Sequence, residues 1–229
     1  FVFLSGIKEI LYLITLLLKM KLKRLITIAI PFSIISGIVN ILGIKLLGVV
    51  TTNVTGLFSL GVQWWSDNEH QFPFTLTIYI LSYLLGSFFS SWWYHSYQLV
   101  PKMWKKLITP SVNLLIVLVA YLMKEPFIPS LVFAMSNHNA FASNFTCAKV
   151  KPSQLTGLVM DLGVELSKLK FTSPESRGCL WDSILTRLTI IVFFTIGAVI
   201  AVTNQTMSLM LVAAVFYIGL IISVLLRKF

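Results

Sequence analysis

The chain has 229 residues, of which 57% are apolar and 11% carry a charge. Because soluble domains carry about 25% charged residues, this composition excludes a soluble globular protein and indicates an integral membrane protein. The net charge of +10 would favour nucleic acid as a partner of a soluble protein. Here most Lys and Arg residues lie between apolar runs, where they orient a chain in the bilayer. We therefore expect the lipid bilayer as a partner and no nucleic acid.

The N-terminal residues 1–19 are mostly apolar but include Lys8 and Glu9. No small-residue cleavage site follows them, so they do not resemble a signal peptide. Met20 and the basic residues after it resemble a bacterial start. We interpret 1–19 as an N-terminal extension or an interfacial helix, and 20–226 as a single transmembrane domain.

Six apolar segments are long enough to cross a bilayer as helices. They extend from about 25 to 44, 72 to 93, 107 to 123, 128 to 147, 184 to 203 and 207 to 226. The fourth segment is the most polar, because Asn and His residues interrupt its apolar run. In the second, Tyr79, Tyr83 and Ser87 recur at helical spacing, and we attribute this hydroxyl stripe to helix packing.

The positive charges alternate between the loops. Clusters of Lys and Arg lie at 19–24, 102–106, 149–170 and 227–228, whereas the loops at 63–71, 124–126 and 204–206 are poorer in them. The positive-inside rule then predicts a multi-pass protein of the bacterial inner membrane with both termini in the cytoplasm. The halves 25–123 and 128–226 have opposite orientations, which is the inverted-repeat plan of many transporters.

Each half contains a Thr-Gly pair that interrupts its apolar pattern. The first Thr-Gly element is Thr51-Thr52-Asn53-Val54-Thr55-Gly56, and the second is Ser153-Gln154-Leu155-Thr156-Gly157. Each element follows a long apolar segment and precedes a shorter one, at 57–65 and 158–169. We predict an all-α membrane protein of two inverted three-helix repeats, each with a broken or re-entrant helix at its Thr-Gly element. Ordinary capped loop–helix junctions at the membrane surface are the alternative.

A helix that begins inside a bilayer presents N–H groups and a positive dipole end, which suit an anion or a carbonyl group. Thr, Asn or Gln side chains can cap such an end. Polar residues within a span usually face the bundle interior. The predicted solute-binding or pore-lining residues are Asn40, Asn53, Thr55, Gly56, Asn137, His138, Asn139, Gln154, Thr156 and Gly157. For the Asn and His residues, interhelical hydrogen bonding is the alternative.

Three other features bear on function. Asp161 and Glu165 lie one helical turn apart, and we interpret them as a solvated helix face. Cys147 and Cys179 are in no CxxC or Cys/His cluster, so we predict no metal site and no disulfide. There is no GxSxG, HExxH, Walker or Rossmann motif. We therefore predict no cofactor and no enzymatic activity; an intramembrane enzyme would need His138 near Asp161 or Glu165.

The sequence resembles the YoaK-like family of bacterial inner-membrane proteins, catalogued as a domain of unknown function. The motifs that carry the resemblance are Gly37-Ile38-Val39-Asn40 before the first Thr-Gly element, Asn137-His138-Asn139-Ala140 before the second, and Asp161-Leu162-Gly163 after it. The resemblance covers about 20–226 and implies a six-span protein without naming a substrate. Members often have Asp at the position of Asn40 and Gln at that of His138.

These observations together favour a small-solute transporter or channel with a site between the inverted repeats. A small anion or a polar neutral solute suits helix N-termini better than a cation does. The alternative is a non-transporting membrane subunit or scaffold that binds its partner through the amphipathic helix at 155–169. The small-residue face of Gly37, Asn40 and Gly43 could pack within the bundle or across a homodimer.

Overall fold

The computed structural model describes residues 20–47, 54–56, 58–59, 62, 72–123 and 127–226. Throughout these ranges the regular secondary structure is α-helical, so the all-α prediction is confirmed. The long helices are α1 (Met20–Leu47), α2 (Phe72–Leu99), α3 (Met103–Met123), α4 (Ile128–Phe145), α5 (Leu155–Lys168), α6 (Pro174–Thr203) and α7 (Thr206–Leu225). The predicted extension or interfacial helix at 1–19 lies outside the described residues. Of the predicted short helix 57–65, only residues 58, 59 and 62 are described, and they are helical.

Five of these helices are long and apolar enough to cross a membrane. The spans are Leu25–Lys45, Phe74–Leu99, Met103–Met123, Ser176–Thr203 and Ser208–Leu225. The composition of the chain and the lengths of its helices are therefore those of a multi-pass helical membrane protein. The predicted fourth span, α4, is not among the five, because its Asn and His residues lower its mean hydropathy.

The outer faces of the spans carry exposed apolar side chains. On α6 these side chains recur every three or four residues, at Leu188, Val192, Ile196 and Val199. This spacing forms one stripe along a helix, and an exposed apolar surface of this length would be unfavourable in water. The stripe is the expected contact with lipid. Helix α6 also begins earlier than the predicted Ile184, because Pro174 at its first turn favours helix initiation there.

Helices α1 and α6 pack along each other and run in the same direction. Near their middles, a Cβ atom at Gly197 would collide with the carbonyl oxygen of Ile34, so the two backbones are in direct contact. Further along both helices, Lys45 Nζ donates to the carbonyl oxygens of Ala201 at 2.7 Å and Asn204 at 2.8 Å. These bonds satisfy carbonyl groups that the end of a helix leaves free.

Gly37 belongs to the same contact. Its added Cβ atom would collide with the carbonyl oxygen of Phe194 in α6. Of the two alternatives for the small-residue face, the structure shows packing of Gly37 within the bundle.

Helices α2 and α4 form the second parallel pair. The hydroxyl of Ser136 donates to the carbonyl oxygen of Tyr83, and Asn144 Nδ2 donates to Ser91 Oγ over 3.2 Å. A Cβ atom at Gly86 would collide with the carbonyl oxygen of Phe133, so small residues permit close backbone approach in both pairs. Helix α3 packs against α7, and α1 contacts α4 at the centre of the bundle.

Candidate functional site

A cavity of about 720 Å³ brings the two Thr-Gly elements together. The predicted site residues that line it are Asn40 from α1, Thr55 from the first element, and Gln154, Thr156 and Gly157 from the second. Thr55 and Thr156 are separated by about a hundred residues in the chain, yet they line one space. Sequence reasoning therefore located residues that the fold brings together.

The remaining polar wall of the cavity comes from α2. Tyr83 and Ser87 line the cavity there, and Phe194 of α6 is also among the lining residues. We attributed the hydroxyl stripe of α2 to helix packing, and for Tyr83 and Ser87 that interpretation was incomplete. Their recurrence at i and i+4 on an otherwise apolar span was the available signal.

The second Thr-Gly element lies beside the middle of helix α6, not at its end. Leu155 and Thr156, at the start of α5, line the cavity with Phe194, which is in the middle of α6. Further along α5, Asp161 and Glu165 bind Arg187, which is about two turns closer to the start of α6. Helix α5 therefore begins at the middle of α6 and runs back towards its N-terminal end.

The loop between α4 and α5 runs back along α2, towards the N-terminal end of that helix. At the end of α4, the ring of Phe145 lies 5.1 Å from that of Tyr94. By Gln154 the chain lines the cavity with Tyr83. Tyr83 and Tyr94 are eleven residues apart in α2, which corresponds to about 16 Å along a helix at 1.5 Å per residue. The chain thus goes back into the bundle before α5 begins.

Helix α5 starts at the cavity with its first turn uncapped by a side chain. Gln154 is its N-cap residue and makes no side-chain cap hydrogen bond, so the expectation of capping is wrong at Gln154. The helix dipole adds a partial positive charge at the same end. The uncapped first turn makes this wall of the cavity suited to an acceptor or an anion.

Asn137 and His138 lie elsewhere, in a buried network between four helices. Asn137 Nδ2 donates to Asn113 Oδ1 of α3 at 2.8 Å. His138 Nε2 is 3.0 Å from the carbonyl oxygen of Phe32 in α1, and its Nδ1 is 3.3 Å from the Tyr217 hydroxyl of α7. With the proton on Nε2, the ring donates to the carbonyl and accepts from the tyrosine. These contacts are the interhelical hydrogen bonds of the alternative interpretation, and a role in a solute path stays a prediction.

Asn139 belongs to the cavity region through a smaller space. Its Nδ2 donates to Ser153 Oγ at 2.5 Å, which ties α4 to the second Thr-Gly element. The residue also lines a side cavity of about 170 Å³, defined here as the side chamber, which shares Tyr83, Ser87 and Gln154 with the large cavity. Asn139 therefore lies next to the site that the Thr-Gly elements form.

Two residues of the first Thr-Gly element that we predicted to line the site are not among the described residues that line the large cavity. Asn53 lies outside the described residues. Gly56 is helical and half-buried, next to Thr55. Their predicted roles stay predictions.

Asp161 and Glu165 form ion pairs, so their interpretation as a solvated helix face is wrong for Glu165 and incomplete for Asp161, whose side chain is 44% exposed. Arg187 Nη1 is 2.8 Å from Asp161 Oδ2, and its Nε is 2.9 Å from Glu165 Oε2. Glu165 also accepts from Ser183 Oγ at 2.6 Å. A carboxylate that receives two donors of one guanidinium, here Nε and Nη2, is held in a fixed geometry. The cluster fixes α5 on α6 and so positions Thr156.

The groups that an intramembrane enzyme would need bind separate partners. His138 contacts α1 and α7, whereas Asp161 and Glu165 contact Arg187. Over the described part of the chain, no three His, Cys, Asp or Glu residues are grouped so that they could hold a metal ion.

A family model describes most of this chain. The model, described as a protein of unknown function (DUF1275), matches residues 28–226. The chain belongs to the DUF1275 family. This membership agrees with the resemblance to YoaK-like proteins, which is therefore confirmed. No curated protein and no solved structure matches the chain.

The DUF1275 match includes both Thr-Gly elements and every residue that lines the large cavity. The whole cavity therefore lies within the part of the chain that the DUF1275 model matches. The family description assigns no activity.

Proposed function

We propose that this DUF1275 member is a transporter or channel for a small polar solute, with the large cavity as its solute site. The observation that carries the proposal is that Thr55 and Thr156, from the two matching elements, line one cavity. In transporters with inverted repeats, interrupted helices from both halves meet at the substrate site. Transport explains why two such elements converge.

The proposal includes α4 as a sixth span. Its 18 residues extend about 27 Å at 1.5 Å per residue, close to the ~30 Å hydrocarbon core. It runs parallel to α2, which is one of the apolar spans. Its polar residues Asn137, His138 and Asn139 are buried within the bundle, where a span can carry them away from lipid.

The helix pairing supports inverted repeats. In two such repeats, α1 is equivalent to α4, α2 to α6, and α3 to α7. The parallel pair α1–α6 then becomes α4–α2, which is the second parallel pair, and α3–α7 is unchanged. The close glycine contacts exchange in the same way, since Gly197 meets α1 and Gly86 meets α4. We extend the proposal to halves 25–123 and 128–226, with both termini in the cytoplasm of a bacterial inner membrane.

The lining of the large cavity favours certain solutes. Its polar groups are hydroxyls and amides, and none of the described lining residues is charged. With no carboxylate to balance it, a small cation would be unfavourable there. The uncapped start of α5 instead favours an acceptor group. A neutral polar solute or a small anion therefore fits this site best.

Solute flux into proteoliposomes tests the proposal. We expect selective uptake from a panel of small anions, polyols and amino acids, relative to empty vesicles. Thr55→Val and Thr156→Val should each lower the flux about two- to tenfold, because each removes a hydrogen bond worth about 0.5–1.5 kcal/mol. Thr195→Val is the matched control, since Thr195 is an exposed residue of α6 whose hydroxyl, among the described residues, bonds only to the Ile191 carbonyl of its own helix.

The outcome distinguishes transport from the alternative function. Unchanged flux in both cavity variants would contradict the site. Absence of flux for every solute, from folded protein, together with a stable co-purifying partner, would favour a non-transporting subunit. Helix α5 exposes Val159, Met160 and Val164, and this apolar face would then be the docking surface.

A further inference from the structure

The outer face of α2 carries a groove near the C-terminal end of the helix. The groove has a volume of about 390 Å³, which is within the ~300–1,000 Å³ of small-molecule sites. Its described lining residues all belong to α2 and recur every three or four positions: Phe88, Ser91, Trp92, His95, Ser96 and Leu99. We call this surface the α2 groove. None of these residues lines the large cavity, so the two spaces are separate.

The end of the α2 groove nearer the middle of the helix is apolar. The side chains of Phe88 and Trp92 are 59% and 61% exposed, and their ring centroids lie 5.8 Å apart. Trp92 is followed by Trp93 and Tyr94, and such aromatic residues are enriched where the hydrocarbon core meets the lipid headgroups. From Trp92 back to Phe88 the groove therefore extends from headgroup level into the hydrocarbon, which is the path of an acyl chain.

The other end of the groove has polar groups and a positive charge beside it. Lys105 Nζ, in the first turn of α3, donates to Ser96 Oγ at 2.8 Å and to the Ser96 carbonyl oxygen at 2.9 Å. These bonds hold the ammonium group next to a residue that lines the groove. An ammonium has three donors, and among the described residues Lys105 makes these two hydrogen bonds. One donor is therefore available to a ligand.

The sequence around the groove contains no carboxylate that could balance this charge. Between Glu69 and Glu125 the chain has no Asp or Glu, and this range includes α2, α3 and the loop that joins them. Helix α4, which packs on α2, has none either. The loop and the start of α3 add Lys102 and Lys106. Basic side chains at the edge of a membrane span attract anionic lipids, so the charge here complements an anionic headgroup.

We propose that the α2 groove binds an anionic phospholipid. The phosphate accepts hydrogen bonds from Lys105 and from the Ser96 hydroxyl, and one acyl chain lies along Trp92 and Phe88. A zwitterionic lipid with the same chains fills the apolar part equally well, so a preference for the anionic headgroup is the property that the lysine adds. The site is separate from the large cavity, and the inference does not depend on transport.

Native mass spectrometry of the full chain, purified in detergent, tests the site. The probes are phosphatidylglycerol and phosphatidylcholine with identical acyl chains, each titrated into the protein. We expect the first phosphatidylglycerol to bind about fivefold more tightly than the first phosphatidylcholine, because one basic side chain near an anionic surface contributes about that factor. The measured masses also show whether a second copy of the chain binds instead of lipid.

Variants at Lys105 test the headgroup contact. Lys105→Gln should lower the affinity for phosphatidylglycerol about fivefold and leave that for phosphatidylcholine unchanged. Lys105→Arg should retain the preference, because it keeps the charge. Lys149→Gln is the matched control, since Lys149 is an exposed lysine that lines a different cavity, beside Cys179.

A variant at Trp92 tests the acyl-chain contact. Trp92→Ala should weaken the binding of both lipids, because both chains lie against this ring. Leu115→Ala is the control, since Leu115 is an exposed apolar residue of α3 that does not line the groove. Binding of both lipids should be unchanged in that variant.

Three results would overturn the proposal. Equal affinity for the two lipids, or the same loss of phosphatidylglycerol binding in Lys105→Gln and Lys149→Gln, would show that lipids contact α2 without recognition of their headgroups. Unchanged binding in Trp92→Ala would remove the acyl chain from the groove. A stable dimer that takes up no lipid would show that a second copy of the chain covers this face.

Discussion

Replacing Gly197 by alanine should destabilise the bundle strongly. The added Cβ atom would collide with the carbonyl oxygen of Ile34, which is part of the α1 backbone and cannot rotate away. Overpacking of a core typically costs about 1–3 kcal/mol, and a backbone contact is at the upper end. Thermal unfolding in detergent measures the effect. Gly86→Ala should have a comparable effect at the α2–α4 contact, where the carbonyl oxygen of Phe133 is in the way.

Gly219→Ala is the matched control for this prediction. Gly219 is in α7, and a Cβ atom there would meet nothing within 4 Å. Alanine is favoured over glycine by about 0.8–1 kcal/mol in a helix, so this variant should be as stable as the wild type or more stable. If Gly197→Ala and Gly219→Ala unfold at the same temperature, α1 and α6 are not in backbone contact.

Replacing Arg187 by methionine should release α5 and stop transport. Two carboxylates, Asp161 and Glu165, would lose their only described cation. Removing one partner costs about 3–5 kcal/mol in a buried pair and about 0.2–1 kcal/mol in an exposed one. The side chain of Glu165 is 14% exposed and that of Asp161 is 44% exposed, so we expect a loss of about 2 kcal/mol. Thermal unfolding, hydrogen exchange of the α5 amides and solute flux measure the consequences.

The controls for Arg187 identify the mechanism. Arg177→Met, near the start of α6, should have little effect, because among the described residues the Arg177 guanidinium makes one long hydrogen bond, 3.4 Å to the Thr172 carbonyl, and no ion pair. The double variant Arg187→Met with Glu165→Gln should recover stability relative to Arg187→Met alone, since it removes an uncompensated charge. Unchanged α5 exchange in Arg187→Met would show that the ion pairs do not hold this helix.

The meeting of the Thr-Gly elements could be predicted because the same pattern occurs once in each half of the chain. Matching interruptions in two halves of a hydrophobic chain indicate a site between repeats, and Thr55 and Thr156 line one cavity. The partner of Asp161 and Glu165 could not be predicted in this way. Their spacing shows that they share a helix face, but Arg187 lies on another helix, and only tertiary packing brings it to that face.

The polar residues of α4 illustrate a different limit. Consecutive helix residues point about 100° apart, so Asn137, His138 and Asn139 cannot all face one cavity. Asn139 faces the side chamber, whereas the other two contact α1, α3 and α7. The helical period alone shows that the three must separate. Which of them faces the site depends on the rotation of α4, which the packing of Gly86 against its backbone sets.

A cysteine-block experiment tests most directly whether the large cavity is the solute path. In a background with Cys147→Ser and Cys179→Ser, a cysteine is placed at Thr156 and, in a second variant, at Ser87. Ser167→Cys is the control, because Ser167 is exposed on α5 and its hydroxyl, within the described part of the chain, bonds only to the Val164 carbonyl of its own helix. Flux is measured before and after treatment with a membrane-impermeant thiol reagent.

The account predicts that modification at Thr156→Cys or Ser87→Cys blocks flux, and that the transported solute slows the modification. Modification at Ser167→Cys should leave flux unchanged. Complete modification of both cavity cysteines with wild-type flux would contradict the account, because a solute that crosses through this cavity could not pass a reagent bound at its wall.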